Sequence, residues 1–255
     1  MTEQNFPEKK KEVATVSSYL TKMGPEFQKA LPSVGLTTER LTRVVMTAVR
    51  NAPKLGECDL MSLMGAVMQS AQLGLEPNTP LGYCYLIPYN NNKKHTVEAQ
   101  FQMGYQGVIE LAYRSDKYQV IHAFAVDKAD KFDYTYGLDP SLTHIPAKVP
   151  SGEIVSYYAV YHLVNGGKDF RVMSKEQVMK HSEQYSQSWD KTKKEFRYGS
   201  AWKDHFDAMA KKTVISSLLK FAPKSIELKT ALDSDNGILK TDKYANIDVN
   251  FEVAE

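Results

Sequence analysis

Gln72–Ser115, QLGLEPNTPLGYCYLIPYNNNKKHTVEAQFQMGYQGVIELAYRS, is the stretch on which the reading of the fold turns. Its first strand alternates with a period of two: Tyr83, Tyr85, Ile87 and Tyr89 fall on one face, Cys84 and Leu86 on the other. The second alternates as well, Val97, Ala99, Phe101 and Met103 opposing Thr96, Glu98, Gln100 and Gln102. The turn between them, Asn90–His95, is rich in asparagine, which tolerates left-handed backbone, so the segment reads as a hairpin with Lys93 and Lys94 at its tip. Two cations on a tip suit a polyanion. Gly104 then opens a short helix ending at Arg114, with Val108, Leu111 and Ala112 toward the core and Tyr105, Gln106, Arg114 and then Lys117 facing out.

Upstream, residues up to about Val13 read as disordered, followed by a short helix from Val13 to Met23 that Gly24-Pro25 stops and a second from Pro25 to Leu31. A longer helix starts at a Thr37 or Thr38 cap with Leu41, Val44, Val45, Ala48 and Val49 as its apolar stripe. Arg43 and Arg50, two turns apart on its other side, fit either one phosphate backbone or plain solvent. Asp59 caps the next helix, Leu60–Leu73, which Gly74 ends, and this helix is expected beneath the hairpin.

Downstream, Tyr118–Val126 reads as a buried strand, Phe132–Tyr136 as another, and Pro140, Pro146 and Pro150 mark 137–152 as an exposed loop. Ile154–Val164, Asn165-Gly166-Gly167 and Lys168–Met173 form a hairpin, giving a largely antiparallel sheet of about five or six strands. Ser174 caps a helix to Tyr185. Gln184–Gly199 interleaves Tyr185, Trp189, Phe196 and Tyr198 with Lys191, Lys193, Lys194 and Arg197, the mixture a single-strand groove needs, and also that of a lysine-rich surface loop. A last long helix, Ser200–Phe221, switches its buried face midway. Lys212, Ser216 and Lys220 recur at intervals of four along it, a strip able to follow a phosphate backbone or simply to meet water. The fold class is α+β: antiparallel hairpins packed with several helices in one main domain.

The 255 residues suffice for a substantial core, and 42% hydrophobic with 24% charged side chains is ordinary for a soluble protein. Two cysteines in apolar segments fit a reducing cytoplasm, and no spaced Cys/His set indicates zinc. No signal-peptide segment or run of 18 apolar residues occurs, so a membrane location is not expected. Residues 225–255 hold seven acidic and three basic side chains; their net charge of −4, within a chain total of +2, leaves +6 on the residues before them. A basic body with an acidic tail suits a polyanion binder. No phosphate-loop motif is present, so ATP hydrolysis is not expected, and neither a nucleophile elbow nor a zinc-protease motif occurs. Glu227-Leu228-Lys229 has the spacing of a metal-dependent nuclease without its strand. No catalytic residue is assigned.

LGLEPNTPLGYCYLIPYNN (73–91), FQMGYQGVIELAYRS (101–115) and WKDHFDAMAKKTVISSLLKFAPKS (202–225) resemble, in order and spacing, the phage and prophage RecT family of single-strand annealing proteins. Where that family commonly carries a basic pair in the last helix, this chain has Ser216-Ser217, while Lys211, Lys212 and Lys220 match. The resemblance implies ATP-independent annealing of single-stranded DNA in phage recombination, by a ring or helical filament of identical subunits. Three regions follow: an N-terminal arm (1–35) in subunit contact, an annealing core (36–225), and a flexible acidic tail (226–255). Expected phosphate contacts are Arg114, Lys117, Arg197, Lys203, Lys211, Lys212 and Lys220, with Tyr105, Gln106, Lys93 and Lys94 near bases or groove. No cofactor is required, Mg²⁺ helps by screening strand repulsion, and a phage exonuclease and the host single-strand-binding protein are the expected partners. The alternative is a loading factor that binds single strands and recruits a nuclease or replication protein through its tail.

Overall fold

The computed structural model describes residues 15–32, 35–91, 94–186 and 188–235. The N-terminal disorder expected up to Val13, the tip lysine Lys93 and the last twenty residues lie outside them. Helices α1 (15–22) and α2 (Gly24–Ala30) come first. They do not stand apart as an arm. Val16, Leu20 and Phe27 are buried in one cluster with Leu41 and Val45 of α3 (Thr38–Asn51) and Leu63 and Val67 of α5 (Leu60–Leu73); the one-turn α4 (Pro53–Gly56) joins the last two helices. Full burial of Leu20 and Phe27 contributes about 2 kcal/mol each, enough to hold these helices down.

The caps read from sequence are in place. The Thr37 side chain accepts from the Arg40 N–H, Asp59 accepts from Ser62, and Gly74 takes the left-handed conformation after α5.

Strands β1 (Cys84–Asn91) and β2 (Thr96–Met103) pair antiparallel from Cys84 opposite Met103 to Asn91 opposite Thr96. Cys84, Leu86, Ala99 and Met103 are the buried side, and Tyr85 and Ile87 are exposed. The hairpin lies on α5, where the Ser62 hydroxyl accepts from the Ala99 N–H and the Asp59 N–H donates to the Val97 carbonyl. Leu86 and Ala99 close the helical cluster, whereas Cys84 and Met103 belong to a second cluster with Leu111, Ile121, Tyr157 and Val214. One hairpin thus seals two of the core clusters.

The strands form separate sheets rather than the single sheet of five or six expected. Among the described residues there are, besides β1–β2, a three-stranded sheet, in the order β3 (Tyr118–Asp127), β6 (Ile154–Leu163), β7 (Lys168–Ser174), and two short hairpins over residues 131–145 and 189–196. Between β3 and β6 the chain is more ordered than its prolines suggest. Residues 137–152 are not merely an exposed loop, because Ser141–Ile145 forms β5 against β4 (Lys131–Thr135). Two carboxylates fix this insertion at its base. Asp127 accepts from the N–H groups of Ala129, Ser151 and Gly152 and from the Ser151 hydroxyl; Asp130 accepts from the N–H groups of Asp127 and Ala147 and contacts His144 Nε2 at 2.9 Å. These bonds, that of the Ser151 hydroxyl first, hold the Asp127 carboxyl down to about 2.

Helix α7 (Lys175–Tyr185) begins with the Ser174–Gln177 capping box. The final helix of the sequence reading is broken. His205 leaves helical geometry between α8 (Ala201–Asp204) and α9 (Phe206–Leu219), and this turns Trp202 onto the ring of Phe196 at 5.9 Å and 14°. The apparent change of buried face has a simple cause: α9 is enclosed on several sides, burying Ala210, Val214, Ile215, Leu218 and Leu219 against β3, β6, β7 and α6 (Tyr105–Arg114). The segment expected as a flexible tail from residue 226 opens with ordered structure. Ile226–Asp235 is a helix, α10, with Leu228, Ala231 and Leu232 buried against the core, and it carries Glu227 and Lys229 outward in place of any nuclease strand.

Candidate nucleic-acid interface

Helix α6 starts where the sequence reads Gly104-Tyr105-Gln106-Gly107, and both glycines are required by contact. A methyl group on Gly104 would stand 2.0 Å from the Gly82 carbonyl oxygen, and one on Gly107 would stand 2.1 Å from that of Tyr83. The first turn of α6 is therefore pressed onto bare backbone. Tyr105 and Gln106, bracketed by the two glycines, line a groove with Ile109 and Tyr113 of the same helix, Ile121, His122 and Ala123 of β3, and Lys211 and Ile215 of α9. Its volume is about 340 Å³.

The groove runs beside β3, an edge strand whose Ile121 N–H is taken by the Tyr113 hydroxyl at 3.0 Å. Its polar groups are held by neighbours. Gln106 Nε2 donates to the Tyr105 hydroxyl at 2.9 Å, and Lys211 Nζ lies 2.7 Å from Asp207 one turn earlier. Lys211 is half-buried, and so meets a lower dielectric than a free surface lysine. The arrangement offers one ammonium, two phenols, an amide and an imidazole among apolar side chains, which suits a phosphate backbone with bases turned toward rings. Among the described residues no group of three His, Cys, Asp or Glu side chains is placed to hold a metal ion. Burial pushes the thiols of Cys58 and Cys84 up to about 11 and about 12, so neither is a ready nucleophile.

Of the residues singled out in the sequence, Tyr105, Gln106 and Lys211 come together in this groove. Others are placed elsewhere. Arg114 donates to the carbonyls of Leu73 and Gly74 and pairs with Glu110, so its guanidinium caps the end of α5. Lys212 is only 7% exposed and donates to the Met103 carbonyl at 2.7 Å, tying α9 to the base of the hairpin. That position departs from the expected phosphate contact, since a strand at the surface does not reach a buried ammonium. Lys117 is exposed and donates to the Lys224 carbonyl, and Lys220 is exposed at the end of α9. Lys94, at the hairpin tip, pairs with Glu98.

The basic aromatic stretch divides. Trp189 and Phe196, on β8 (Trp189–Asp190) and β9 (Glu195–Phe196), pack their rings 4.8 Å apart over Trp202 and are part of the core. Tyr185 and Tyr198 are exposed; Lys203 sits 5.8 Å from the Tyr198 ring, and Arg197 is exposed beside it. Lys203 also edges a shallow depression of about 350 Å³ with Lys194, Glu183 and Met179. His122, Tyr113 and Ile109 also line the groove without being singled out by the sequence: β3 reads as a buried strand, which hides His122, while Ile109 and Tyr113 lie on α6 among positions with no charge or turn signal of their own. The signal for His122 was present in its alternation with Ile121 and Ala123.

Three findings place this architecture among known proteins. The RecT family model matches residues 39–249. Protein RecT of Escherichia coli is 36% identical over 215 residues, covering 84% of this chain and 76% of that protein. An uncharacterized protein of Bacillus subtilis, YqaK, is 28% identical over 234 residues, covering 89% of this chain and 76% of its own length.

Proposed function

We propose, from the premise that this chain belongs to the RecT family, that it anneals complementary single strands of DNA in recombination without ATP, as an oligomer. The observation that carries the reading is the groove in which the glycine-bracketed Tyr105 and Gln106 meet Lys211 beside the edge strand β3. The protein holds one strand by its phosphates and keeps the bases accessible, and pairing with the second strand supplies all the specificity. Lys117, Lys203, Lys220 and Arg197 are further phosphate contacts along the polymer, and Lys93 and Lys94, in the β1–β2 turn of the sequence, are further contacts near bases or groove. Lys212 and Arg114 act from inside, by fixing α9 to the hairpin and α6 to α5.

Identical subunits in a ring or filament suit a polymeric ligand, because modest contacts repeated along one strand multiply in effect. Magnesium acts by screening strand repulsion. The protein works in the cytoplasm, with a phage exonuclease and the host single-strand-binding protein as partners; among the described residues no helix is long and apolar enough to cross a membrane.

The test mixes two complementary labelled strands without ATP and follows energy transfer, with a non-complementary pair as control. Acceleration of the complementary pair alone is the expected result. Binding without acceleration would favour a loading factor that recruits a nuclease or replication protein, and shortened strands would point to a nuclease.

A further inference from the structure

The outer face of the three-stranded sheet, turned away from α9, carries a continuous run of rings. Register places His122 opposite Val160 and Phe124 opposite Tyr158, then Val160 opposite Phe170 and Tyr158 opposite Val172, all on this face. The β4–β5 hairpin folds over part of it. Successive ring centroids are 5.8 Å from His122 to Phe124, 5.2 Å to Tyr158, 5.4 Å to Phe132, 5.6 Å to Tyr134, 5.4 Å to Tyr136 and 5.2 Å to Phe170.

Two of these rings are half-finished stacks. Phe124 lies nearly parallel to Tyr158 (26°) and is 41% exposed; Tyr136 lies nearly parallel to Phe170 (19°) and is 52% exposed. In each pair the inner ring takes one side of the outer ring and leaves the remainder to solvent. Neither outer ring is free to swing. The Tyr136 hydroxyl accepts from the Val172 N–H at 2.9 Å, and Phe124 is also flanked by His122. A flat apolar partner meets these rings with little conformational entropy left to lose.

His122 belongs both to this ladder and to the lining of the groove beside Tyr105 and Lys211, so the two surfaces meet at one residue. Exposed His162 and Lys168, paired in the next register row, border the same face with cationic or polarisable groups. Flat rings, a cationic margin and continuity with the groove match exposed nucleobases on a single strand.

We infer that the outer sheet face around Phe124 and Tyr136 is a second, base-stacking site for single-stranded nucleic acid, entered from the groove past His122. The inference rests on the strand-binding reading of the groove. It adds a surface that grips bases to one that grips phosphates.

The test uses the full chain with Phe124→Leu, Tyr136→Leu and Tyr136→Phe. Leucine keeps apolar bulk and removes the aromatic face, whereas Tyr136→Phe keeps the ring and loses only the hydroxyl. Affinity is measured for a base-bearing strand and for an abasic strand of equal length, alongside melting temperature and light scattering. Each leucine variant should weaken the base-bearing strand about tenfold and leave the abasic strand unchanged. Tyr136→Phe keeps the stacking face but releases the ring from the Val172 N–H, so it should lose clearly less than Tyr136→Leu, and a strand carrying photoreactive iodouracil should crosslink to the peptides that hold Phe124 or Tyr136. Equal loss on both strands would overturn the inference, as would an altered assembly size with unchanged strand affinity, which would make the face a contact between subunits. A wild-type protein that binds neither strand would fail the groove reading itself, a result distinct from either of these.

Discussion

The close approach of α6 to the hairpin gives a prediction whose sign is informative. In an open helix, replacing glycine by alanine stabilises by about 1 kcal/mol, because alanine loses less backbone entropy. Gly65 in α5 is such a site, with no atom within 4 Å of the added methyl group, so Gly65→Ala should raise the melting temperature by about 3 °C for a chain of this size. Gly107 has the same helical setting and the opposite surroundings. Its new methyl would stand 2.1 Å from the Tyr83 carbonyl oxygen and 2.8 Å from the Met103 sulfur, where ordinary contact begins more than an ångström farther from that oxygen. The sulfur can swing aside, but the backbone carbonyl cannot. Overpacking of that severity costs about 3 kcal/mol, and the helical gain offsets about 1, so Gly107→Ala should lose about 2 kcal/mol, or about 6 °C. Thermal unfolding followed by circular dichroism reads both variants. Because α6 must back away from the strand, Tyr105 and Gln106 move with it, and strand affinity measured well below both melting points should fall as well. A melting temperature for Gly107→Ala at or above wild type would refute the direct seating of α6 on the Gly82–Tyr83 backbone.

The adjacent lysines of α9 should behave as opposites. Lys211→Ala should weaken binding to all sequences alike and reduce the slope of log affinity against log salt by about one, with little change in melting temperature. Lys212→Met keeps the apolar stem and deprives the Met103 carbonyl of a donor; it should cost about 1–3 kcal/mol in stability and leave the salt slope unchanged. An unchanged slope for Lys211→Ala would remove that side chain from the strand path. Asp127 supplies a pH dependence of defined sign. Its folded pKa of about 2 lies below the unfolded value of about 4, so its contribution is complete above about pH 4 and is lost as the pH falls toward 2. The difference in melting temperature between wild type and Asp127→Asn should therefore narrow over that interval, and a constant difference would show that the carboxylate charge does not hold the turn.

Much of the positioning framework is legible in local sequence. Alternation from Tyr83 to Met103 places the hairpin and its buried side, Gly74 marks the end of α5, and Ser174 with Gln177 marks the start of α7. Features decided by distant partners are not legible in this way. Lys212 falls in step with Ser216 and Lys220, and nothing local reveals that the Met103 carbonyl waits 109 residues away. Strand β5 is hidden among prolines because the bonds that order it come from Asp127 and Asp130 at the far end of the insertion. Trp189 and Phe196 read as ligands for bases because their partner Trp202 lies beyond a turn. Helix α10 did carry a local signal, Leu228 with Ala231 and Leu232 at helical spacing, but the acidity of the segment outweighed it.

Asp127 and Ile154 are register partners at the mouth of the β3–β6 pair, with the β4–β5 insertion strung between them. The two ends are therefore already as close as a tight turn requires, and the β3–β6 pairing itself does not depend on what is threaded between them. Chain length at this point is free to vary over evolutionary time. A lineage can shorten or exchange the ring-bearing insertion in a single deletion or replacement without moving the two strand ends that flank it.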